Sequence, residues 1–535
     1  MEIEAKFALH NPETLNKLKT LDALGDYTLL PGKVVQMDDR YLDTADRRLL
    51  KAGFALRQRS IDNKTVMQLK GRGGVEDAIH RREETSLTLP AENAIEAWRS
   101  SPLYAHIRQL TGDADLQTLC SLKQTRFERQ LWQGDRLVAE LSLDTVTVIA
   151  GAFRDSYAEL EIELRADGAE ADLATLTALM QQEWRLEAVS RSKLERALAL
   201  LDAPSSPGLN AGDSMAEAAR KTLFFHFQKM LKNEAGTRLG ADIEALHDMR
   251  VATRRMRAAL QVYGDYLDTK KLRPFAKALR KIGRALGKVR DLDVFWEKTQ
   301  AWLDSLPEED RPDLESLRLA WAQEHQANRE KMLVYLDSKA YGNFKKRFDA
   351  FLQEPEAAAL PPFDAKGRPR PYLLQHVSPA ILYHRLATIQ AYEAWISGSD
   401  VPLERLHQLR IDCKRFRYTL EFFRETLGPE AKKLIREVKT LQNHLGDLQD
   451  AVVASAMLQD FLNYGGWGRA KKDLSLLTEP MDAPGAASYL SYRQNELQTL
   501  VDTFPQAYRQ AQNANFEGLL AKTIANAKFK MKNSK

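Results

Sequence analysis

Cysteine is almost missing from this chain: among 535 residues only Cys120 and Cys413 bear a thiol. They stand far apart with no C-x-x-C spacing, which argues against a disulfide framework and leaves two reduced thiols, as expected of a cytosolic protein. Long apolar runs are missing too. No stretch is long enough to cross a bilayer, and the start of the chain lacks the basic-then-apolar pattern of a secretory signal, so no membrane association is expected. A dominant charge sign is also lacking, because 78 Lys and Arg nearly balance 74 Asp and Glu and leave a net charge of +4. With 44% apolar and 28% charged residues, the composition is that of a globular protein.

The balance hides an asymmetry. Residues 1–200 carry 27 Lys and Arg against 32 Asp and Glu, so of the totals 51 and 42 remain for residues 201–535. The front of the chain is acidic and the back is basic. This suggests two modules with different electrostatic tasks, the second suited to anionic partners. A chain of this length also exceeds what one core can serve, and roughly two to four domains are expected.

Residues 1–200 show period-two alternation in MEIEAKFAL (1–9), KVVQMDDRYLDT (33–44), FALRQRSI (54–61), TVMQLKGR (65–72), HRREETSL (80–87), RFERQLW (126–132), RLVAELSLD (136–144) and AELEIEL (158–164). Only short helical stretches and no parallel-sheet crossovers separate them, which predicts an antiparallel sheet or closed barrel. GRGG (71–74) reads as a flexible turn, and DAPSSPGLNAGDS (202–214) as a linker by its Pro, Gly and Ser content. Beyond it nearly everything has the 3.6-residue period of helix. EPEAAALPPFDAKGRPRPY (354–372) cannot be helical throughout and divides this region. HDMRVATRRMR (247–257) and HQLRIDCKRFR (407–417) are near copies, each followed some forty residues later by an acidic turn, VRDLDV (289–294) and LGDLQDAVV (445–453). Internal duplication is the economical explanation. The expected domains are 1–201, a linker over 202–212, and 213–525 with halves of about 213–353 and 373–525.

In an extended strand Glu2, Glu4 and Lys6 share one face while Ile3, Ala5 and Phe7 share the other. The same pattern puts Arg57 with Arg59, Gln68 with Lys70, Arg82 with Glu84, Glu140 with Asp144, and Glu159 with Glu161 and Glu163. On an open sheet these would form a solvated side. In a barrel covered outside by helices they line the lumen, and unpaired buried charge is too costly for that lumen to be a dry core. Clustered carboxylates without Cys or His partners favour hard Mg²⁺ or Mn²⁺. Arg and Lys beside them favour phosphate oxygens. Together they describe a metal–polyphosphate site for phosphoryl or nucleotidyl transfer. Lys123, Arg129 and Arg81 read as surface charges.

Glu2-Ile3-Glu4-Ala5-Lys6 resembles the ExExK signature of the CYTH superfamily, the triphosphate tunnel metalloenzymes. Arg57-Gln58-Arg59, Lys70, Arg82 with Glu84, Arg126, Asp144, AELEIEL and SKLER (192–196) follow in that family's order. The resemblance covers residues 1–200 and implies an eight-stranded antiparallel tunnel that binds a triphosphate and one or two Mg²⁺ or Mn²⁺. It makes Glu2, Glu4, Glu159, Glu161 and Glu163 metal ligands. It makes Asp144 a metal ligand or the residue that orients the attacking water. Lys6, Arg57, Arg59, Lys70, Arg82, Arg126, Lys193 and Arg196 become phosphate contacts, the first three catalytic together with Asp144.

His247, Arg250, Arg254 and Arg257 are spaced to share one helix face, as are His407, Arg410, Lys414 and Arg417. Met249, Met256, Leu260 and Tyr263 fall on the opposite face of the first helix, and Leu409, Phe416, Leu420 and Phe423 on that of the second. A solvated helix mixes acids with its lysines at i, i+4, and these stripes hold no acid. The two stretches resemble the CHAD domain, the conserved-histidine α-helical domain, over roughly residues 213–520. That resemblance implies two pseudo-repeated helical bundles whose basic faces bind inorganic polyphosphate. Nucleic acid would also answer to the charge, but the stripes lack the interleaved aromatics that stack bases.

The sequence therefore predicts an α+β protein in which an eight-stranded antiparallel β-tunnel precedes an all-α domain of two helical bundles. The expected activity is metal-dependent hydrolysis of inorganic tripolyphosphate, with long-chain polyphosphate held by the helical domain, in the cytoplasm or at polyphosphate granules. A nucleoside or thiamine triphosphatase, an adenylate cyclase and a non-catalytic polyphosphate scaffold are the alternatives. Oligomeric state has no signature in the sequence.

Overall fold

The computed structural model of the chain describes residues 2–61, 64–71, 74–76, 79–82, 84–90, 94–150, 153–201, 206–240, 242–396, 401–467 and 481–527. Two compact units are present, Met1–Ala203 with Leu231–Leu246, and Pro204–Met230 with His247–Lys535. The first is built on one antiparallel sheet, and the second is helical. Two residues of the GRGG segment, 72 and 73, and part of the linker, 202–205, lie outside the described residues.

The strands are β1 (Glu2–Leu9), β2 (Ala23–Leu24), β3 (Tyr27–Leu29), β4 (Lys33–Asp43), β5 (Phe54–Ile61), β6 (Lys64–Gly71) and β7 (Gly74–Glu76). They continue with β8 (Ile79–Arg82), β9 (Glu84–Leu89), β10 (Gln117–Gln133), β11 (Arg136–Ala150), β12 (Phe153–Leu164) and β13 (Glu187–Ala188). The main path runs β7-β8-β1-β12-β11-β10-β4-β5-β6-β9, with β13 beside β1, β3 beside β10 and β2 beside β3. At one side of the path Arg82 pairs with Glu2, and at the other Glu84 pairs with Lys70. Arg82 and Glu84 are two positions apart, a span of at most about 7 Å. The two ends of the sheet are thus tied together by the chain itself, and the sheet curls into a tunnel.

The expected eight strands become thirteen among the described residues. HRREETSL, read as one strand, is split between β8 and β9, which pair with different neighbours. Short segments such as β2, β3 and β13 carry too few residues to show alternation, yet they satisfy backbone groups along longer strands.

Alternation sorts the apolar side chains outward. Phe7, Leu141, Leu143, Leu160 and Ile162 are buried against helices Pro12–Thr20 and Glu170–Gln182. Leu56, Met67 and Leu69 pack under helices Arg48–Lys51 and Pro102–Thr111. The lumen itself is not charged along its whole length. Asp144, Val146, Val148 and Ala150 share one face of β11, and the last three join Tyr41, Leu122, Tyr157, Leu194 and Ala197 in a separate apolar cluster. Helix Lys193–Leu201 supplies two of those residues, so it closes the tunnel at that level. Residues 231–246 also belong to this unit. Leu239 joins the outer core, Gly236 leaves no room for a side chain against Ser156, and Ser156 Oγ donates to Asp242 at 3.1 Å.

Arg129 corrects the sequence reading: it is buried, not a surface charge. It lies on the outward face of β10, where helix Pro12–Thr20 covers it. Its guanidinium donates to the carbonyls of Leu18, Lys19 and Leu21 at the end of that helix, and to Leu29 and Leu30. Helix ends leave carbonyls without intrahelical partners, so one arginine here satisfies several at once. Lys123 is exposed, as expected, and the side chain of Arg81 lies outside the described residues.

In the second unit the two basic copies fall on helices Ile243–Val262 and Leu403–Phe423. Met249, Met256, Tyr263, Leu409, Phe416, Leu420 and Phe423 are fully buried on the face predicted for each copy, and Leu260 is half-buried. Each helix is followed by a long one, Thr269–Asp304 and Ala431–Tyr464. The acidic segments VRDLDV and LGDLQDAVV are therefore helix interiors rather than turns. Neither segment holds a proline to break the helix, Asp447 and Asp450 are one helical turn apart, and Lys298 reaches them at 3.4 and 3.3 Å. Residues 354–372 run between helices Lys339–Gln353 and Leu374–Gln390. No described helix is long and apolar enough to cross a membrane, and both cysteines are buried and free.

Replacing Arg129 by Met keeps the volume but orphans the five carbonyls. The sheet unit should lose about 2–4 kcal/mol of stability, read as a lower denaturant midpoint for its unfolding. An unchanged midpoint would show that the helix end does not need this cap.

Candidate active site

The polar face of the sheet is a ladder of cross-strand neighbours. Arg126 on β10 stands opposite Asp144 on β11, Asp144 opposite Glu159 on β12, and Glu161 opposite Lys6 on β1. On the other wall Asp39 on β4 stands opposite Arg59 on β5, Arg57 opposite Gln68 on β6, and Lys70 opposite Glu84 on β9. Between the walls lies a cavity of about 350 Å³ lined by Glu4, Lys6, Arg57, Arg59, Gln68, Lys70, Glu84, Arg126, Glu161, Glu163 and Lys193. Tyr41, Leu50, Phe54, Leu194 and Leu198 add an apolar section to its lining.

Ser192 and Glu195 fix the position of Lys193. Ser192 Oγ accepts from the Glu195 amide at 3.1 Å, and Glu195 Oε2 accepts from the Ser192 amide at 2.7 Å. This reciprocal cap sets the helix start and leaves Lys193 aimed at the carboxylates. Its Nζ lies 2.6 Å from Asp144, 3.0 Å from Glu159 and 3.1 Å from Glu161. Arg126 binds Asp144 through two nitrogens at 2.7 Å and reaches Glu161 at 2.5 Å. Lys6 contacts Glu161 at 2.5 Å and Glu4 at 2.9 Å.

Burial alone would raise these carboxyls and lower the ammonium groups. Lys193, Lys6 and Arg126 overcome it for Glu161 and hold that carboxyl well below the usual range, and Lys193 and Arg126 do the same for Asp144 to a lesser degree. Lys6 and Lys193 are held above their ordinary values, because their carboxylates outweigh burial. Glu159 goes the other way. Burial raises it, the attraction of Lys193 falls short, and Glu161 adds to the rise.

One oxygen of each of Asp144, Glu159 and Glu161 lies within 4.8 Å of the other two. All three side chains are buried, and Glu159 Oε1 accepts no hydrogen bond although Lys193 Nζ is 3.0 Å away. A buried carboxylate oxygen with no donor is costly. An all-oxygen set of this kind fits a hard divalent cation.

The structure brings most of the expected site residues into one cavity, Glu163 among them, although Glu163 also pairs with Arg165 at 2.9 Å. Arg196 stands apart. It stacks 3.6 Å over the Tyr157 ring and pairs with Asp155 at 2.9 Å. Glu2 and Arg82 are paired through the backbone, and their side chains lie outside the described residues.

Asp39 is not singled out by the sequence, yet it is fully buried and organises the basic wall. Its oxygens accept from Arg59 Nε and Nη2 at 2.7 Å and from Gln124 at 2.6 Å, with Arg57 at 3.6 Å. Burial would raise its carboxyl, but Arg59 and Arg57 hold it below the ordinary value. Gln68 is marked in the sequence only by its strand face. Its Oε1 accepts from Arg57 at 2.8 and 2.6 Å, and its amide donates to Glu84, which also holds Lys70 at 2.7 Å.

The second unit carries its own cationic surface. Arg250 and Arg254 act electrostatically on Lys414 from one helix, and Arg410 and Arg417 from the other. The two stripes therefore face one another. Helix Thr269–Asp304 adds cations that the sequence reading missed. Arg280 and Arg284 crowd Arg257, whose guanidinium burial already lowers. Arg250 pairs with the exposed Asp291 at 3.0 Å, and His407 contacts Gln449. Among the described residues Arg254, Arg410 and Lys414 have no ion-pair partner, and Arg254 Nε is buried without an acceptor.

Asp39→Asn should leave Arg59 without its carboxylate and cost the sheet unit about 3 kcal/mol or more. Tripolyphosphate should then raise the melting temperature of the variant more than that of the parent, since it meets arginines released from their acid. Equal melting temperatures in both conditions would show that Asp39 does not hold the basic wall.

Comparison with known proteins matches the CYTH domain over residues 1–198 and the CHAD domain over residues 221–459. An uncharacterized protein of Mycobacterium tuberculosis is 26% identical over 479 residues, which cover 85% of this chain and 87% of that one. A Haemophilus influenzae protein named inorganic triphosphatase is 29% identical over 203 residues, 37% of this chain and 54% of its own. The crystal structure of the CHAD domain from Ricinus communis aligns with a TM-score of 0.42 and 25% identity, covering 60% of this chain and 97% of that one. The tunnel with its facing acidic and basic walls, followed by helices with a repeated basic stripe, is a CYTH domain joined to a CHAD domain.

Proposed function

We propose that the tunnel hydrolyses inorganic tripolyphosphate with the help of a divalent cation, Mg²⁺ or Mn²⁺, and that the helical unit binds long-chain polyphosphate. The carrying observation is one cavity lined by Lys6, Arg57, Arg59, Lys70, Arg126 and Lys193 that also reaches, through Glu161, a cluster of three buried carboxylates. The CYTH match and the name of the Haemophilus relative agree with it.

Arg57, Arg59, Lys70 and Arg126 would take the phosphate oxygens, in exchange for the carboxylate and amide partners that hold them now. Such a clamp positions the reacting phosphorus and stabilises charge spread over the transferred group. Asp144, Glu159 and Glu161, with Glu4 adjacent through Lys6, would hold the cation. When bound, it would supply Lewis-acid polarisation of phosphate oxygens. Lys6 and Lys193, which share those carboxylates, would then be free to turn toward phosphate.

The apolar part of the lining, Leu50, Phe54, Leu194 and Leu198, favours a second reading in which the triphosphate carries an organic group. Phosphate release from tripolyphosphate, ATP and thiamine triphosphate, with and without EDTA, separates the two. A preference for tripolyphosphate that EDTA abolishes is expected. Equal or faster turnover of an organic triphosphate would favour the second reading, and no release from any of them would leave a binding scaffold.

Glu161→Gln removes a charge from the cation site without changing its shape and should lower kcat by at least about a hundredfold. Near-normal turnover at saturating Mg²⁺ or Mn²⁺ would remove Glu161 from the site. For the helical unit, alanine at Arg250, Arg254, Arg410 and Lys414 together should weaken long-chain polyphosphate binding. It should also flatten its salt dependence, since fewer counterions are displaced, while tripolyphosphate hydrolysis stays nearly unchanged. Full-strength binding would reduce the stripes to a solvated face.

A further inference from the structure

Tyr418 is buried beneath the basic surface of the helical unit, and four cations surround its ring. Lys414 Nζ lies 6.0 Å from the ring centre, and the guanidinium carbons of Arg254, Arg255 and Arg417 lie at 5.7, 5.4 and 5.0 Å. Arg255 and Arg417 share Glu421, at 2.6 and 2.7 Å, and Arg417 also donates to Gln442 of the following helix. Among the described residues no carboxylate is left for Lys414. It is an amine set among guanidiniums, more than half buried, and acted on by Arg250 and Arg254 of the other basic helix and by Arg410 and Arg417 along its own.

We propose that Lys414 is an acylation site for acyl phosphates, the guanidiniums around it holding the phosphate end while its amine attacks the carbonyl. The Nζ lone pair forms a bond to the carbonyl carbon, the bond from that carbon to the phosphate oxygen breaks, and phosphate leaves with the electron pair. The amine proton passes to solvent. The product is a neutral amide in the middle of the cation cluster. This rests on the reading of the two basic stripes as a phosphate site.

Nucleophilic attack needs the neutral amine, and the surroundings supply it. Burial, and then Arg254, Arg410, Arg250 and Arg417, lower the Lys414 ammonium to a pKa of about 7. An ordinary lysine near 10.4 is neutral in about one molecule per thousand at pH 7.5. A weaker base is also a weaker nucleophile, by analogy with thiols, and the net advantage is about tenfold or more.

The full chain would be treated with acetyl phosphate at pH 7.5, and acetylation at each lysine followed by peptide mass spectrometry. Lys414 should react about tenfold or more faster than the exposed Lys432 and Lys433, more slowly below pH 7, and more slowly again with long-chain polyphosphate present. With N-hydroxysuccinimidyl acetate, which carries no phosphate, the preference should shrink. A rate for Lys414 equal to those of Lys432 and Lys433 would overturn the proposal, and so would an equal preference with both reagents. Polyphosphate binding to unmodified protein is measured separately by calorimetry. If that binding is absent while the acetyl phosphate preference persists, the polyphosphate reading falls and the acylation site stands.

Discussion

Everything in the sheet unit depends on the pairing of Lys193 with three buried carboxylates. A tunnel that encloses charges must neutralise them, because each unpaired ion would cost several kcal/mol. Lys193 balances Asp144, Glu159 and Glu161 from the first turn of one helix, while the same helix fills the tunnel with Leu194 and Ala197. Closing the tunnel and neutralising its acids are thus tasks of one element. The cross-strand register then places Arg126 and Lys6 on the same acids, and Asp39 on the opposite arginines. The groups that would meet phosphate are thus held in pairs before it arrives, and binding would exchange one partner for another.

The helical unit follows a different rule. Its two basic helices bury large apolar residues on one side and crowd cations on the other, and several of those cations have no acid among the described residues. Repulsion of this kind lowers stability and is relieved by any polyanion that enters. One unit therefore stores its charges as internal pairs that a ligand must exchange. The other pairs some of its cations, Arg250 and Arg417 among them, and leaves Arg254, Arg410 and Lys414 without an acid among the described residues.

The acidic and basic ladder is legible in the sequence because strand alternation separates faces cleanly and the outer face is mostly apolar. Alternation and charge alone group Glu4, Lys6, Arg57, Arg59, Lys70 and Glu161, and the resemblance to the CYTH superfamily adds Lys193. Asp39 escapes this logic. Asp38 and Asp39 are adjacent and point to opposite faces, and only the register with Arg59 decides which one is inside. Arg129 reads as solvated because a charge on an outward face looks exposed until a helix end is known to lie over it. Arg280 and Arg284 escape a comparison of the two basic copies, since these cations belong to a helix outside the repeated motif. The acids of the long helices read as turns when their charge is given more weight than the unbroken helical period of the residues around them.

The assignment of residues 231–246 to the sheet unit has a consequence for how such a protein could be assembled or divided. The chain passes from one unit to the other three times, at 203/204, 230/231 and 246/247. A segment ending at the Pro- and Ser-rich stretch would lack Leu239 from its core and Asp242 from Ser156. The portion able to move by recombination as a self-sufficient piece is therefore longer than the sheet, and it carries the first helices of its neighbour with it.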